Sequence, residues 1–252
     1  MELSFQSVGT DICDYTYDMC EIHSFDPTIP QPEVDRLWRK LRDTRLPEQP
    51  VVPDAGDDYG PPLDWIHQLY GYWANNFDWD TAQRRIASWK NYTTEIEGLT
   101  IHFVHQPSRQ DDAIPLLLAH GWPGSWFEFS RCIDPLSNPA GDDTSTSQSR
   151  PQPAFHVVVP SIPGFTWSSG PPGRGWTLQD TARIFDTLMH ERLGYGSYVA
   201  QGGDWGHWVV RVARQQPPVL QGPGAGPCTR NMCPSQPPVP RSECTSSRAG
   251  SS

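Results

Sequence analysis

The sequence predicts an α/β fold, a mostly parallel sheet flanked by helices and preceded by an N-terminal helical meander. Three observations predict it. From residue 94 onward short apolar runs alternate with amphipathic stretches. Each run ends in a turn rich in Gly or Pro. Before residue 90 the apolar spacing is helical only.

Residues 1–24 are acidic and aperiodic and read as loose. Val34, Leu37, Trp38 and Leu41 then recur at i, i+3, i+4 and i+7, a helix that ends before Pro47. Residues 48–62 read as a loop. Leu63 to Tyr72 and Asp80 to Trp89 read as two more helices. Residues 94–104 alternate around Glu97-Gly98, as two strands joined by a tight turn do. Ile114 to Ala119 is a continuous apolar run, which suits a strand buried on both faces. Ser125 to Leu136 reads as a helix, residues 137–153 as a loop and Phe155 to Val159 as a strand. Thr177 to Leu193 is helical, with Leu178, Ala182, Phe185, Leu188 and Met189 turned inward. Tyr198 to Gln201 is a short strand, and a helix follows from His207 to about Gln215. Residues 221–252 are dominated by Pro, Gly and Ser, keep no hydrophobic period, and read as a disordered tail.

Composition narrows the function classes. Apolar residues make up 36% and charged residues 19%, while 11 tryptophans supply enough aromatic mass for a core. The net charge is −10, all of it arising in the first 100 residues. An acidic chain without a Lys/Arg cluster argues against nucleic-acid binding. No apolar run approaches the roughly 18 residues of a membrane span, and no basic segment opens the chain, so a cytoplasmic protein is expected. The six cysteines show no zinc spacing and are expected as reduced thiols. No metal cluster or phosphate loop appears, and no cofactor is implied.

Two motifs carry chemistry. Gly202-x-Asp204-x-Gly206 lies between a strand and a helix, as in a nucleophile elbow whose serine is replaced by aspartate. Glycine suits positions two residues either side of a nucleophile on so tight a turn. The plainer reading is an Asp N-cap in a glycine-rich turn. His120-Gly121-Trp122-Pro123-Gly124 follows the apolar strand, where a backbone N–H could form half an oxyanion hole. The N–H of Trp205 would form the other half. The plainer reading there is an ordinary strand-to-helix turn. His120 itself is expected to be a packed, hydrogen-bonded side chain. The Trp/Tyr clusters at 65–79 are expected to pack, and Asn91-Tyr92-Thr93 is a glycosylation pattern without other support.

Further segments sharpen the reading. They are Leu41-Arg42-Asp43-Thr44-Arg45-Leu46-Pro47, Tyr72-Trp73 with Phe77-Asp78-Trp79, and Ile96-Glu97-Gly98-Leu99 with Ile101-His102-Phe103. Phe155 to Phe165 and Gln201 to Gly206 complete the set. With His120 to Ser125, they resemble the microsomal-type epoxide hydrolases of the α/β-hydrolase superfamily over roughly residues 25–216. The resemblance implies an epoxide hydrolase N-terminal segment at 25–92 and a partial α/β-hydrolase domain at 93–220. It implies hydrolysis of a small-molecule epoxide to a vicinal diol. Asp204 would be the nucleophile, forming an aspartyl ester, and the backbone N–H groups of Trp122 and Trp205 the oxyanion donors. Aspartate suits this chemistry because its ester can be hydrolysed, whereas serine would give an inert ether.

The family pattern also implies a downstream acid, a histidine and lid tyrosines. Here no histidine follows His207, Glu243 is the only acid after Asp204, and no tyrosine follows Tyr198. A fold incomplete at its C-terminus, with impaired or absent turnover, is therefore expected, the tail reading as a truncated gene model or splice product. Rival readings are a catalytically dead product, an interaction module using the Pro-rich tail, and a haloalkane dehalogenase, which would lack the N-terminal segment. The oligomeric state is not legible.

Overall fold

The structure is a computed structural model that describes residues 22–139 and 152–213. The 221–252 tail, most of the 1–24 stretch and the middle of the 137–153 loop lie outside the described residues. Residues 22–24, assigned from sequence to the loose N-terminus, instead form a strand, β1 (Ile22–Ser24). Its backbone finds partners along a neighbouring strand, which decides the matter over a local sequence with no period.

Three helices follow. α1 (Gln31–Arg42) opens with Pro32 and Glu33 in its first turn and closes with Arg39, Lys40 and Arg42, charges that suit the two ends of the helix dipole. α2 spans Leu63–Asn76, and α3 spans Trp79–Ala87 behind an Asp78 cap that accepts from the Asp80 N–H. The aromatic cluster at 65–79 packs only in part, with Phe77 against Trp38 and Trp79. Trp65, Tyr72 and Trp73 are 52%, 60% and 41% exposed. α2 is tied to α1 through the Tyr70 hydroxyl, which donates to the Leu41 carbonyl, and Leu69 is exposed beside these aromatic residues.

The sheet contains β1, β2 (Asn91–Ile96), β3 (Leu99–Gln106), β4 (Ile114–Ala119), β5 (Phe155–Pro160) and β6 (Val199–Gly202). Its order is β1-β2-β3-β5-β4-β6. Parallel pairing is confined to β5-β4-β6, and the β1-β2-β3-β5 portion is antiparallel. The β2–β3 turn falls at Glu97-Gly98, both with positive φ (52° and 76°), as a two-residue primed turn requires. β6 forms one edge of the sheet among the described residues.

The alternation of side chains divides the core. Phe103, Leu117, Ala119 and Val158 face α5 (Leu178–Thr187) and α6 (Asp204–Ala213). Val104, Leu116, Leu118, Val157 and Val159 face the other layer, around Trp89, Trp126 and Ile133. Both faces of the central strands are covered, which is why β4 and β5 are apolar at nearly every position.

Two helical expectations change in detail. Ser125 to Leu136 forms a 3-10 turn over Trp126–Phe129 and then a short helix, α4 (Ile133–Ser137). Pro135 has no N–H for the Arg131 carbonyl and its ring would press on that group, so one continuous helix is disfavoured. The 177–193 helix holds as α5 extended by a π turn over Leu188–Arg192, with Thr177 and Asp180 forming a reciprocal capping box. No helix among the described residues is long and apolar enough to cross a membrane.

Candidate active site

The chain leaves β6 through Gly203 and enters α6 at Asp204, three residues before the helix start read from sequence. Asp204 has φ +49°, a left-handed conformation that non-glycine residues seldom adopt. Gly202 and Gly206 make the turn possible. A Cβ on Gly202 would lie 2.4 Å from the Gly206 carbonyl carbon, and one on Gly206 would lie 2.1 Å from the Ala119 carbonyl oxygen. Strand end, helix start and the end of β4 therefore touch backbone to backbone.

The β4 loop completes the arrangement. The Trp122 N–H donates to Asp204 Oδ1 at 2.8 Å, and the Trp205 N–H donates to the same oxygen at 2.6 Å. Oδ2 takes no hydrogen bond from the described residues. The two N–H groups hold the carboxyl below the usual carboxylate range. Gly121 permits this contact, since a Cβ there would sit 2.7 Å from the Asp204 Cβ. The Trp122–Pro123 peptide bond is cis. The sequence reading named Asp204, Trp122 and Trp205, and these three meet. It missed the reason for Gly121, whose signal was present in the His-Gly-Trp-Pro-Gly run.

His120, as expected, is a packed side chain. It is fully buried, its Nε2 accepts from the Ile162 N–H at 3.1 Å, and Nδ1 faces the Gly121 carbonyl at 3.0 Å. Both ring nitrogens are thus occupied in holding the loop that carries Trp122. Burial pushes its pKa down. His207 lies on the first turn of α6, exposed, with its ring against Trp208.

Two other histidines belong to the core. His102 bridges Asn91 Oδ1 and the Ser161 hydroxyl, and His105 Nε2 meets the Tyr195 hydroxyl at 2.9 Å. Asn91 is buried and its amide donates to the Ile86 and Trp89 carbonyls, so the glycosylation pattern is folded into the core. Burial pushes His102 down to about 3 and His105 down to about 4, the latter helped by His156 and Lys90. In the unfolded chain both titrate near 6.5. Their contribution to stability is complete above that pH and is lost as pH falls toward the folded values. Between pH 7 and 5 the unfolding free energy should drop by about 3–4 kcal/mol for the pair, on the order of 1.4 kcal/mol per pH unit for each histidine. Urea titrations at the two pH values measure this, and an unchanged midpoint would contradict it.

Beside Asp204 lies an apolar cleft of about 620 Å³, lined by Trp122, Phe165, Trp176, Leu178, Trp205 and Val209 among others. A smaller hollow of about 280 Å³ reaches Asp204 itself and shares Leu178 and Trp205 with the cleft. Trp122, Trp205 and Trp208 are 63%, 50% and 53% exposed around this opening. A carboxylate with one oxygen fixed by two backbone donors can attack an uncharged electrophile through its other oxygen. The bound oxygen then becomes the carbonyl of the resulting ester.

Comparison with known proteins finds matches over most of the described residues. The model of the epoxide hydrolase N terminus matches residues 22–129, and that of the alpha/beta hydrolase fold matches residues 114–212. A putative epoxide hydrolase of Stigmatella aurantiaca is 40% identical over 202 residues, 80% of this chain and 44% of that protein. Epoxide hydrolase 1 of Oryctolagus cuniculus is 34% identical over 203 residues, 78% of this chain and 42% of that protein. The Aspergillus niger epoxide hydrolase structure superposes with a TM-score of 0.62 at 37% identity, covering 77% of this chain and 49% of that one. The juvenile hormone epoxide hydrolase of Bombyx mori gives a TM-score of 0.64 at 31% identity, covering 78% and 50%. The chain thus spans a little under half the length of the curated relatives it matches. It belongs to the epoxide hydrolase family of the α/β-hydrolase superfamily.

Proposed function

We propose that Asp204 performs the nucleophilic half of epoxide hydrolysis, and that the 252-residue chain stalls at the ester. Asp204 Oδ2 attacks an epoxide carbon, the C–O bond of the ring breaks, and the released alkoxide takes a proton from solvent. The product is a hydroxyalkyl ester of Asp204. Oδ1, now its carbonyl oxygen, keeps the Trp122 and Trp205 N–H donors. Attack of water on that carbonyl would build negative charge on Oδ1 and release the vicinal diol.

The observation that carries this reading is the pair of N–H donors converging on one oxygen of a carboxylate at a positive-φ turn. The proposed stall follows from the water step, which needs a proton acceptor. His120 has both ring nitrogens engaged, and His207 is exposed with no hydrogen bond to Asp204. Removing one member of a catalytic unit removes most of the rate.

The test is intact mass of the purified chain after incubation with styrene oxide. One added equivalent is expected, absent in Asp204→Ala. Folded protein that gains no Asp204-dependent mass overturns the proposal.

A further inference from the structure

β6 presents a row of backbone groups with no partner among the described residues. It pairs in parallel with β4 on one side, from Leu116 opposite Val199 to Ala119 opposite Gly202. No described strand lies on its other side. A strand edge offers alternating N–H and C=O groups, so what fits it is another extended strand. Paired residues share a face of the sheet, which puts Val199 and Gln201 on the side of Leu116 and Leu118, and Ala200 on the side of Leu117. Leu116 and Leu118 are buried, whereas Val199 is 47% exposed and Ala200 and Gln201 are exposed with it. The apolar face of β4 thus continues onto β6, where no described residue covers it.

The sequence around β6 does not block further pairing. Edge strands are commonly blunted by Lys, Pro or a bulge. From Gly194 to Gly203 the chain carries no charged residue and no proline. The opposite edge differs, since Asp26 and Pro27 closely follow β1. Neither terminal segment suits the β6 edge. The residues after Ala213 include eight prolines between 217 and 240 and no Ile, Phe, Tyr or Trp, a composition that disfavours a strand. Those before Ile22 carry five acids and join the sheet at β1, five strand spacings or about 24 Å from β6. A second β6 does suit it, because an uncharged strand laid against itself brings no like charges together.

We propose that two copies of the 252-residue chain pair antiparallel through β6, about a two-fold axis near Ala200 and Gln201, joining their sheets into one. An axis perpendicular to the sheet keeps the two Val199 side chains on the same face, beside the seam, and makes a closed pair. The proposal is independent of the chemistry given to Asp204. A pair of four-residue strands buries little area, so the dimer is weak, with a dissociation constant of about 10–100 µM.

Sedimentation equilibrium of the 252-residue chain, over concentrations that bracket this value, tests it. The average mass is expected to rise from one chain towards two. Val199→Lys should weaken association at least about tenfold, because two lysines then meet on one face beside the seam. Gln201→Lys gives the same readout if Val199→Lys does not fold. Val51→Lys, which adds the same charge at a site 93% exposed elsewhere, should leave association unchanged. Amide hydrogen exchange locates the contact: protection of residues 199–202 should increase with protein concentration in the wild type and not in Val199→Lys. A chain that stays single throughout, or a mass that grows past two chains, overturns the proposal. So does a dimer that survives Val199→Lys but is lost in Trp73→Lys, which would assign the contact to the exposed face of α2. Protection of 199–202 in a single chain, independent of concentration, would mean that another segment of the same chain covers the edge, and would also overturn it.

Discussion

Gly206→Ala is expected to destroy the fold around Asp204. The added Cβ would meet the Ala119 carbonyl oxygen at 2.1 Å and the His120 carbonyl oxygen at 2.7 Å. These are backbone atoms at the end of β4, which is paired on both sides, so no side-chain rotation relieves the clash. A cost of at least about 3 kcal/mol is expected, at the upper end for overpacked sites. Gly203→Ala is the matched control. It lies between the same two glycines, meets nothing within 4 Å and has no positive φ, so it should change stability little. Chemical unfolding of the two variants side by side measures the difference. Equal stability would mean that the close approach of β6, α6 and β4 is not what shapes this turn.

The second large effect concerns turnover. On the proposed mechanism, turnover requires the Asp204 ester to be hydrolysed, and the expected behaviour of the 252-residue chain is one ester per molecule. Consumption of styrene oxide, after subtraction of the Asp204→Ala background, should stop near one equivalent, with almost no diol released. That is a loss of several orders of magnitude against an enzyme with a positioned base. The reason is local: the donors on Oδ1 hold the carboxylate for the first step, while among the described residues His120 has both ring nitrogens engaged and His207 makes no hydrogen bond to Asp204. Sustained, Asp204-dependent diol formation over many equivalents would show that a base exists which the described residues do not reveal.

Much of the sheet and its flanking helices was legible because their periods are unambiguous. β4 read as a buried strand and β5 as a strand, and in both nearly every side chain lands in one core layer or the other. α5 read as a helix through its inward Ala182, Phe185, Leu188 and Met189. β1 was invisible because three residues have no period and are defined by a partner 68 to 72 positions away (Ser24 opposite Tyr92, His23 opposite Thr93, Ile22 opposite Thr94). The exposure of Trp65, Tyr72 and Trp73 was misread for a related reason: aromatic content shows a capacity to pack, and the packing partner is set by tertiary structure.

At the site, spacing brought Asp204, Trp205 and the 120–124 loop to notice, since the strand–turn–helix pattern has few physical solutions, and the family resemblance singled out Trp122. The interlocking of Gly202 with Gly206, and of Gly121 with Asp204, depends on which backbones meet, and a single sequence does not show that.

The most direct measurement identifies the atom that carries the label. Aryl epoxides also alkylate thiols, and Cys132 is free and exposed. Peptide mapping after styrene oxide treatment, with and without hydroxylamine, separates the two because hydroxylamine cleaves an ester and spares a thioether. The account predicts a hydroxylamine-labile group on the peptide containing Asp204. Label confined to cysteine peptides in a folded protein would contradict it.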